Sequence, residues 1–159
     1  MKSDGKKVFD VKKVNFTNKE LTNHSSVGGI VLDNSGRVCM LFHKKMNRWT
    51  IPVGKINKDE RPGDALDREL QEELGIQVIS KKKIIVKKLK FFFKSRQTRI
   101  EIHIYKVMEY VGTPKNKATD EHKYIKFFTK DELMSMPRED VSEFTWLWLQ
   151  TVKDSNSFY

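Results

Sequence analysis

The stretch GKINKDERPGDALDRELQEELGI, Gly54 to Ile76, gathers carboxylates in a chain that is otherwise strongly basic. Three of them, Glu69, Glu72 and Glu73, fall within five positions. The same stretch carries the marks of a helix. Pro62 suits a first turn, where a missing N–H costs nothing. Leu66, Leu70 and Leu74 recur at four-residue spacing and make one apolar stripe. Gly75 suits the left-handed residue that ends a helix. On that helix Glu69, Glu72 and Glu73 stand at i, i+3 and i+4 and share a face, with neighbouring Cβ atoms about 5–6 Å apart. Carboxylates that close repel one another unless something positive sits among them. Arg68 can serve one; a hard divalent cation can serve all three, and Mg2+ is the usual ion where carboxylates handle phosphates. A solvated acidic face is the alternative, and the triplet by itself leaves both readings open.

Upstream, SSVGGIVLD and RVCMLFHK are apolar runs joined by Asp33-Asn34-Ser35-Gly36, which predicts a β-hairpin. RWTIPVG reads as a short extended piece, because Pro52 pushes Ile51 toward β. Downstream, KKIIVKKLKFFF and RIEIHIYKVMEY read as two strands joined by KSRQT. In the second, Ile100, Ile102 and Ile104 alternate with Glu101, His103 and Tyr105, the pattern of a half-buried strand. The polar loop GTPKNKATDEHKY runs into a strand YIKFF, Thr129 caps a short helix, and REDVSEFTWLWLQTV predicts a closing helix with Phe144, Leu147, Trp148 and Thr151 as one core-facing stripe. Residues 1 to about 24 are Lys-rich, with a possible first strand around Val8 to Val14. The order predicts an α/β fold, an α+β arrangement with helices packed on a central mixed sheet.

The chain has 159 residues, which points to one domain spanning 1–159 with a substantial core. Hydrophobic residues make up 38% and charged residues 33%, a globular balance without a run long enough to span a membrane. The basic N-terminus has no apolar core behind it, so a secretory signal is not expected and a cytoplasmic location is. The single Cys39 excludes an internal disulfide and a Cys-based zinc site, and its apolar neighbours make it a buried thiol. The net charge of +10 favours anionic partners such as phosphates, nucleotides or nucleic acid, although a Lys-rich surface can also be simply solvated.

Read from Gly54, the order is Gly, five residues, Glu60, seven residues, Arg68-Glu69-Leu70, one residue, Glu72-Glu73, one residue, Gly75-Ile76. This resembles the Nudix box in every specified position. The resemblance implies an α/β/α sandwich whose loop–helix–loop carries a metal site, and hydrolysis of a nucleoside diphosphate linked to another group. By position, Glu72 and Glu73 would be metal ligands. Glu69 would be a further ligand or the general base, a role Glu73 shares as a candidate. Arg68 would orient these carboxylates together with Glu60. Gly54 would turn the backbone so that the Val53 carbonyl reaches a metal. Leu70, Leu74 and Ile76 would only pack the helix, with Gly75 ending it. The implied cofactor is Mg2+, with Mn2+ as a substitute. Many family members add a downstream acid before a strand; Glu121 fits that place best, with Asp120 and Glu101 as rivals. Lys55 is a candidate contact for a substrate phosphate. His24, His43, His103 and His122 show no ligand spacing and are assigned no metal.

The end of the chain is similar in organisation to the nucleotide-sanitising MutT-like branch, in which terminal acids and aromatics read a purine. Asp140 and Glu143 would accept from purine N–H groups, and Trp146 or Trp148 would stack on the base. The expected substrate is therefore a (d)NTP or oxidised purine nucleotide, giving NMP and pyrophosphate. The box entry PVGKINKDE also looks like that of mRNA-decapping relatives. Lys87, Lys88, Lys90, Lys94, Arg96 and Arg99 lie along the basic hairpin, a pattern that can hold single-stranded nucleic acid. RNA 5′-end hydrolysis is thus the second reading, ahead of a dinucleotide pyrophosphatase. A silent binding module comes last, because the box glutamates are intact. No membrane is expected, and the sequence implies no particular protein partner.

Overall fold

A computed structural model describes residues 7–10, 23–93 and 96–155. In chain order the elements are β1 (Lys7–Asp10), β2 (His24–Ile30), β3 (Val38–His43), β4 (Arg48–Thr50), β5 (Val53–Lys55), α1 (Pro62–Leu74), β6 (Gln77–Phe93), β7 (Arg96–Val111), β8 (His122–Phe128), α2 (Lys130–Met134), a 3-10 turn (Arg138–Asp140) and α3 (Glu143–Val152). The first strand falls at Lys7–Asp10, pairing in parallel with β6; Val14 lies outside the described residues.

The strands form two sheets rather than one central sheet: β1-β6-β7-β2-β5 and β4-β3-β8. The expected hairpin therefore exists only at its turn. Asp33 Oδ1 accepts from the backbone N–H groups of Ser35 and Arg37, Gly36 takes a φ of 78°, and Cys39 N–H donates to the Val31 carbonyl. Beyond that point β2 and β3 part, because residues 48–55 enter between them. Thr50 pairs with Leu41 in one sheet, and Val53 pairs with Gly28 in the other. Pro52 marks the crossing, where it has no N–H to give a ladder; its carbonyl accepts from Gly29 N–H at 3.0 Å.

Each sheet is covered on both faces, which is why β2 and β3 read as nearly continuous apolar runs. On one side Ile30, Val38, Met40, Ile51, Ile102 and Ile104 pack with Trp148 and Leu147 of α3. On the other, Val27, Val31, Cys39 and Leu41 pack with Leu66, Leu70 and Leu74 of α1. His103 and Tyr105 are buried too, so β7 is covered on both faces where alternation alone predicted one. Phe144, Leu147 and Trp148 face the core as expected, whereas Thr151 is exposed. No helix among the described residues is long and apolar enough to cross a membrane.

A short polar network anchors α3 to the crossing. Ser142 Oγ accepts from Thr145 N–H and donates to Thr50 Oγ1 at 2.8 Å, while Thr145 Oγ1 accepts from Ile51 N–H at 2.9 Å. All of these groups are buried. Thr145→Val would keep the shape but leave Ile51 N–H unpaired in the core. The expected cost is about 1–3 kcal/mol, readable as a lower urea midpoint with an unchanged m-value.

Candidate active site

Helix α1 forms as its sequence requires. Pro62 occupies its first turn, Gly75 sits at φ 71°, and Gly75 N–H and Ile76 N–H return to the carbonyls of Gln71 and Leu70. Its apolar stripe packs inward and the acidic stripe turns toward β5 and the loop before β8. Arg68 sits at the centre of that acidic face. Its Nε and one terminal nitrogen donate to the two Glu60 oxygens, each at 2.9 Å. The other terminal nitrogen donates to Glu69 Oε1 at 2.8 Å and reaches Glu72 Oε2 at 3.3 Å. Arg68 also bonds the Lys55 carbonyl at 3.0 Å, and Glu60 accepts from Asn57 N–H. One guanidinium thus ties the loop 55–60 to the helix and leaves the glutamates aligned. The Arg68 hydrogen bonds hold the Glu60 carboxyl down to about 2.

Gly54 has a different role from the one its motif position suggested. Among the described glycines only Gly36, Gly75 and Gly112 have positive φ; Gly54 is ordinary strand, paired with Val27. A Cβ there would lie 2.0 Å from Glu69 Cδ and 2.4 Å from its Cγ. Gly54 is a glycine because the Glu69 side chain passes against it. Strand β5 is the last of its sheet, so one edge is open. The Lys55 carbonyl points off that edge to Arg68, and alternation directs the Val53 carbonyl the same way.

The loop that follows β7 docks on the C-terminal end of α1. Lys117 N–H donates to the Glu73 carbonyl at 2.9 Å and Lys115 N–H to the Leu74 carbonyl at 3.0 Å, filling acceptors that a helix end leaves open. Glu121 N–H and His122 N–H then both donate to the Ala118 carbonyl, Lys44 N–H donates to the Glu121 carbonyl, and Asn116 Nδ2 donates to the His122 carbonyl at 2.9 Å. This brings Glu121 to Glu73. Carboxylate oxygens of Glu73 and Glu121 and a ring nitrogen of His122 lie within 4.8 Å of one another. Neither rival joins that group: Asp120 is exposed beside it, and Glu101 on β7 is paired to His103 Nε2 at 2.9 Å.

The electrostatics of the group call for a cation. Glu73 is only 3% exposed and its Oε2 has no hydrogen-bond partner. Burial, then the charges of Glu69 and Glu121, hold the Glu73 carboxyl well above the usual carboxylate range. Burial also raises Glu69, with Glu72 and Glu121 adding to it against the pull of Arg68, and raises Glu121, with Asp120 alongside. Glu72 is exposed at the mouth. Acids pushed up together in this way, with a buried acceptor left open, fit a divalent ion. Because Glu121 lies in this group and Glu101 does not, Glu121→Gln is expected to lower kcat at least about tenfold more than Glu101→Gln. Steady-state rates of the two variants at saturating metal check this.

His122 is the member that spacing passed over. Adjacent residues on a regular strand point to opposite faces. Glu121, however, lies in the turn before β8, where its N–H and that of His122 both donate to the Ala118 carbonyl, so strand alternation does not relate the two side chains. The remaining candidates lie elsewhere. Lys55 has an exposed side chain. Asp140 is exposed on the 3-10 turn, but Glu143 is buried between Arg138 at 3.5 Å and Arg48 at 3.9 Å. Trp148 is 1% exposed in the core and offers no stacking face; Trp146 carries the Arg138 guanidinium 4.8 Å over its ring. Lys88, Lys90 and Arg99 line a cleft of about 400 Å³ with Asn23, His24 and Glu101. Lys87 falls on the opposite face of β6, and Lys94 lies outside the described residues, as does the side chain of Arg96.

Known proteins bear on this arrangement. RNA pyrophosphohydrolases of Pseudomonas putida and Pseudomonas fluorescens are 42% identical to this chain over 52 residues, which is 33% of this chain and 33% of theirs. The match thus spans only a third of the length of these curated relatives. Among solved structures, the MutT Nudix hydrolase of Burkholderia pseudomallei superposes with a TM-score of 0.70 at 22% identity, over 82% of this chain and 98% of that one. The MutT protein of Bacillus halodurans gives 0.67 at 20% identity, over 84% of each chain. The Nudix domain of Shewanella oneidensis NrtR, solved with ADP ribose, gives 0.66 at 11% identity, over 87% of this chain and 92% of that one. These likenesses establish the fold. The profile described as the NUDIX domain matches residues 22–150, and with its box helix, Arg68 clamp and acidic cluster in place the chain belongs to the Nudix hydrolase family.

Proposed function

We propose that this Nudix pyrophosphohydrolase works in the cytoplasm on a (d)NTP or an oxidised purine nucleotide, releasing NMP and pyrophosphate with Mg2+, for which Mn2+ can substitute. The observation that carries the reading is the buried Glu73 carboxylate with an open oxygen, set beside Glu69 of the same helix and Glu121 of the loop before β8. Glu69, Glu72, Glu73 and Glu121, with the Val53 carbonyl on the free edge of β5, are the groups that would hold the ion. When bound, the ion neutralises the diphosphate and makes a water more acidic.

The chain's own part is positioning and proton transfer. Arg68 keeps Glu69 aligned, and Glu60 in turn keeps Arg68 aligned. Glu69 or Glu73 takes the proton from the attacking water, a contribution of about 10²–10⁴-fold. Lys55 stands at the open end of β5, where a substrate phosphate would meet it. Of the two terminal acids, Asp140 is the one open to a base, since Glu143 is held by two arginines. Hydrolysis assays with Mg2+ over nucleoside triphosphates, oxidised purine nucleotides, dinucleotides and 5′-triphosphorylated or capped RNA test this. NMP and pyrophosphate from a free nucleotide are expected; turnover of RNA ends alone would overturn the substrate.

The cationic cleft at Lys88, Lys90 and Arg99, together with the partial match to RNA pyrophosphohydrolases, supports the second reading, RNA 5′ ends. Salt separates the two. Replacing the three cations by Gln is expected to cost a small-nucleotide enzyme a modest factor in kcat/KM that fades as salt screens charge. An RNA enzyme would instead bind with a log–log salt slope of roughly −0.7 per phosphate contact, and the triple variant would flatten it by about two to three contacts.

A further inference from the structure

The box carboxylates account for an oxygen-lined site, but they leave a buried imidazole at its wall. His122 is 1% exposed, its Nδ1 has no hydrogen-bond partner, and a ring nitrogen lies within 4.8 Å of carboxylate oxygens of Glu73 and Glu121. We propose that His122 is a direct ligand of the ion, so that Glu73, Glu121 and His122 form a two-carboxylate, one-imidazole donor set that selects a first-row transition ion over Mg2+. This rests on the reading of the cluster as a metal site.

Three features favour a ligand over a histidine that merely fills space. First, a buried polar nitrogen without a partner costs stability unless something satisfies it, and Glu73 Oε2 in the same cluster has the same need. One ion answers both. Second, the turn at Glu121 brings its carboxylate and the His122 ring into one cluster, and four backbone or amide contacts hold this segment: Ala118, Lys44, Asn116 and the helix end at Glu73. Ligands held this firmly define a geometry before the ion arrives. Third, the neighbouring ring is already committed. His43 lies edge-on to His122 with centroids 5.3 Å apart, and its Nδ1 accepts from Lys45 N–H and Met46 N–H. His122 is the imidazole left to bind. Oxygen-only sets suit Mg2+, whereas an imidazole raises affinity in the order Mn2+, Co2+, Ni2+.

The test uses the full chain stripped of metal. Mn2+ is added, and pulsed EPR reads the nitrogen coupling of a directly bound imidazole. The coupling is expected in wild type and in His43→Gln and His103→Gln, and is expected to vanish in His122→Gln. Calorimetry with Co2+ and with Mg2+ should show Co2+ affinity falling about 10–100-fold in His122→Gln while Mg2+ changes by less than about threefold. Absence of nitrogen coupling in wild type overturns the proposal, and so does coupling that survives in His122→Gln. If His122→Gln does not fold, wild type decides alone: labelling histidine with 15N must alter the coupling, and the His43 and His103 variants must retain it. Mg2+-supported hydrolysis without nitrogen coupling removes the histidine ligand and leaves the reaction standing. Nitrogen coupling without hydrolysis does the reverse.

Discussion

Glu73→Gln is expected to lower kcat by about 10²–10⁴-fold and at the same time to stabilise the metal-free protein at neutral pH. The two effects have one cause. Glu73 is buried, its Oε2 has no partner, and Glu69 and Glu121 stand against it. On the proposed reading an ion relieves this crowding of carboxylates, and without one the crowding remains. Glutamine has nearly the same shape and no charge, so it removes the repulsion together with the ligand. The sign of the pH dependence follows. The Glu73 carboxyl is raised above its ordinary 4.5, so between that value and its folded one the native state binds more protons than the unfolded state. Stability from this group then falls as pH rises through that window. Below 4.5 the acid is protonated in both states, and wild type and variant should converge. Above the window the metal-free variant should lead by roughly 1 kcal/mol, about 2–4 °C in Tm. Saturating Mg2+ should raise the wild-type Tm and leave the variant nearly unmoved. Calorimetric scans with chelator and with Mg2+, at pH 4 and pH 8, check every part. A metal-free variant less stable than wild type at pH 8 would mean that the Glu73 carboxylate is satisfied by something other than a cation.

Gly54→Ala is the second change with a large effect, and it alters no charged residue directly. The added methyl would stand 2.0 Å from Glu69 Cδ, well inside contact distance, so Glu69 must leave its place. Its hydrogen bond from Arg68 at 2.8 Å goes with it, and Arg68 would be left to Glu60, Glu72 and the Lys55 carbonyl. The backbone at Gly54 is ordinary strand, so alanine carries no conformational penalty there and the fold should persist. Misplacing a catalytic group by about 1 Å can cost 10²-fold, and a loss of that size in kcat is expected with an unchanged circular dichroism spectrum. If the role of Gly54 were instead to turn the chain, alanine would lower stability first. A full-activity Gly54→Ala variant would remove Glu69 from the catalytic set.

The box helix was legible because every determinant of it is local. Pro62, the Leu66–Leu70–Leu74 stripe and Gly75 act within one or two turns, and Arg68, Glu69, Glu72 and Glu73 share a face by helical geometry alone. The downstream acid was legible by its distance from the Phe127 strand. Other features depend on which segments meet. The turn at Asp33–Gly36 is local chemistry, but whether the strands beyond it stay paired depends on the 48–55 segment that enters between them. Glu143 looks like a free acid until Arg48 and Arg138 close on it, and Trp148 like a stacking surface until α3 is packed. His122 was invisible because alternation assigns it the face opposite Glu121, whereas Glu121 lies in the turn before β8, outside the reach of that rule. Gly54 was legible as necessary but not for the right reason, since the atom that excludes a side chain belongs to Glu69, fifteen residues away. The sequence determined the helix and its acidic face, because those interactions run along the chain. Only the tertiary structure decided which groups meet in the acidic cluster, because burial and proximity are properties of the packed elements.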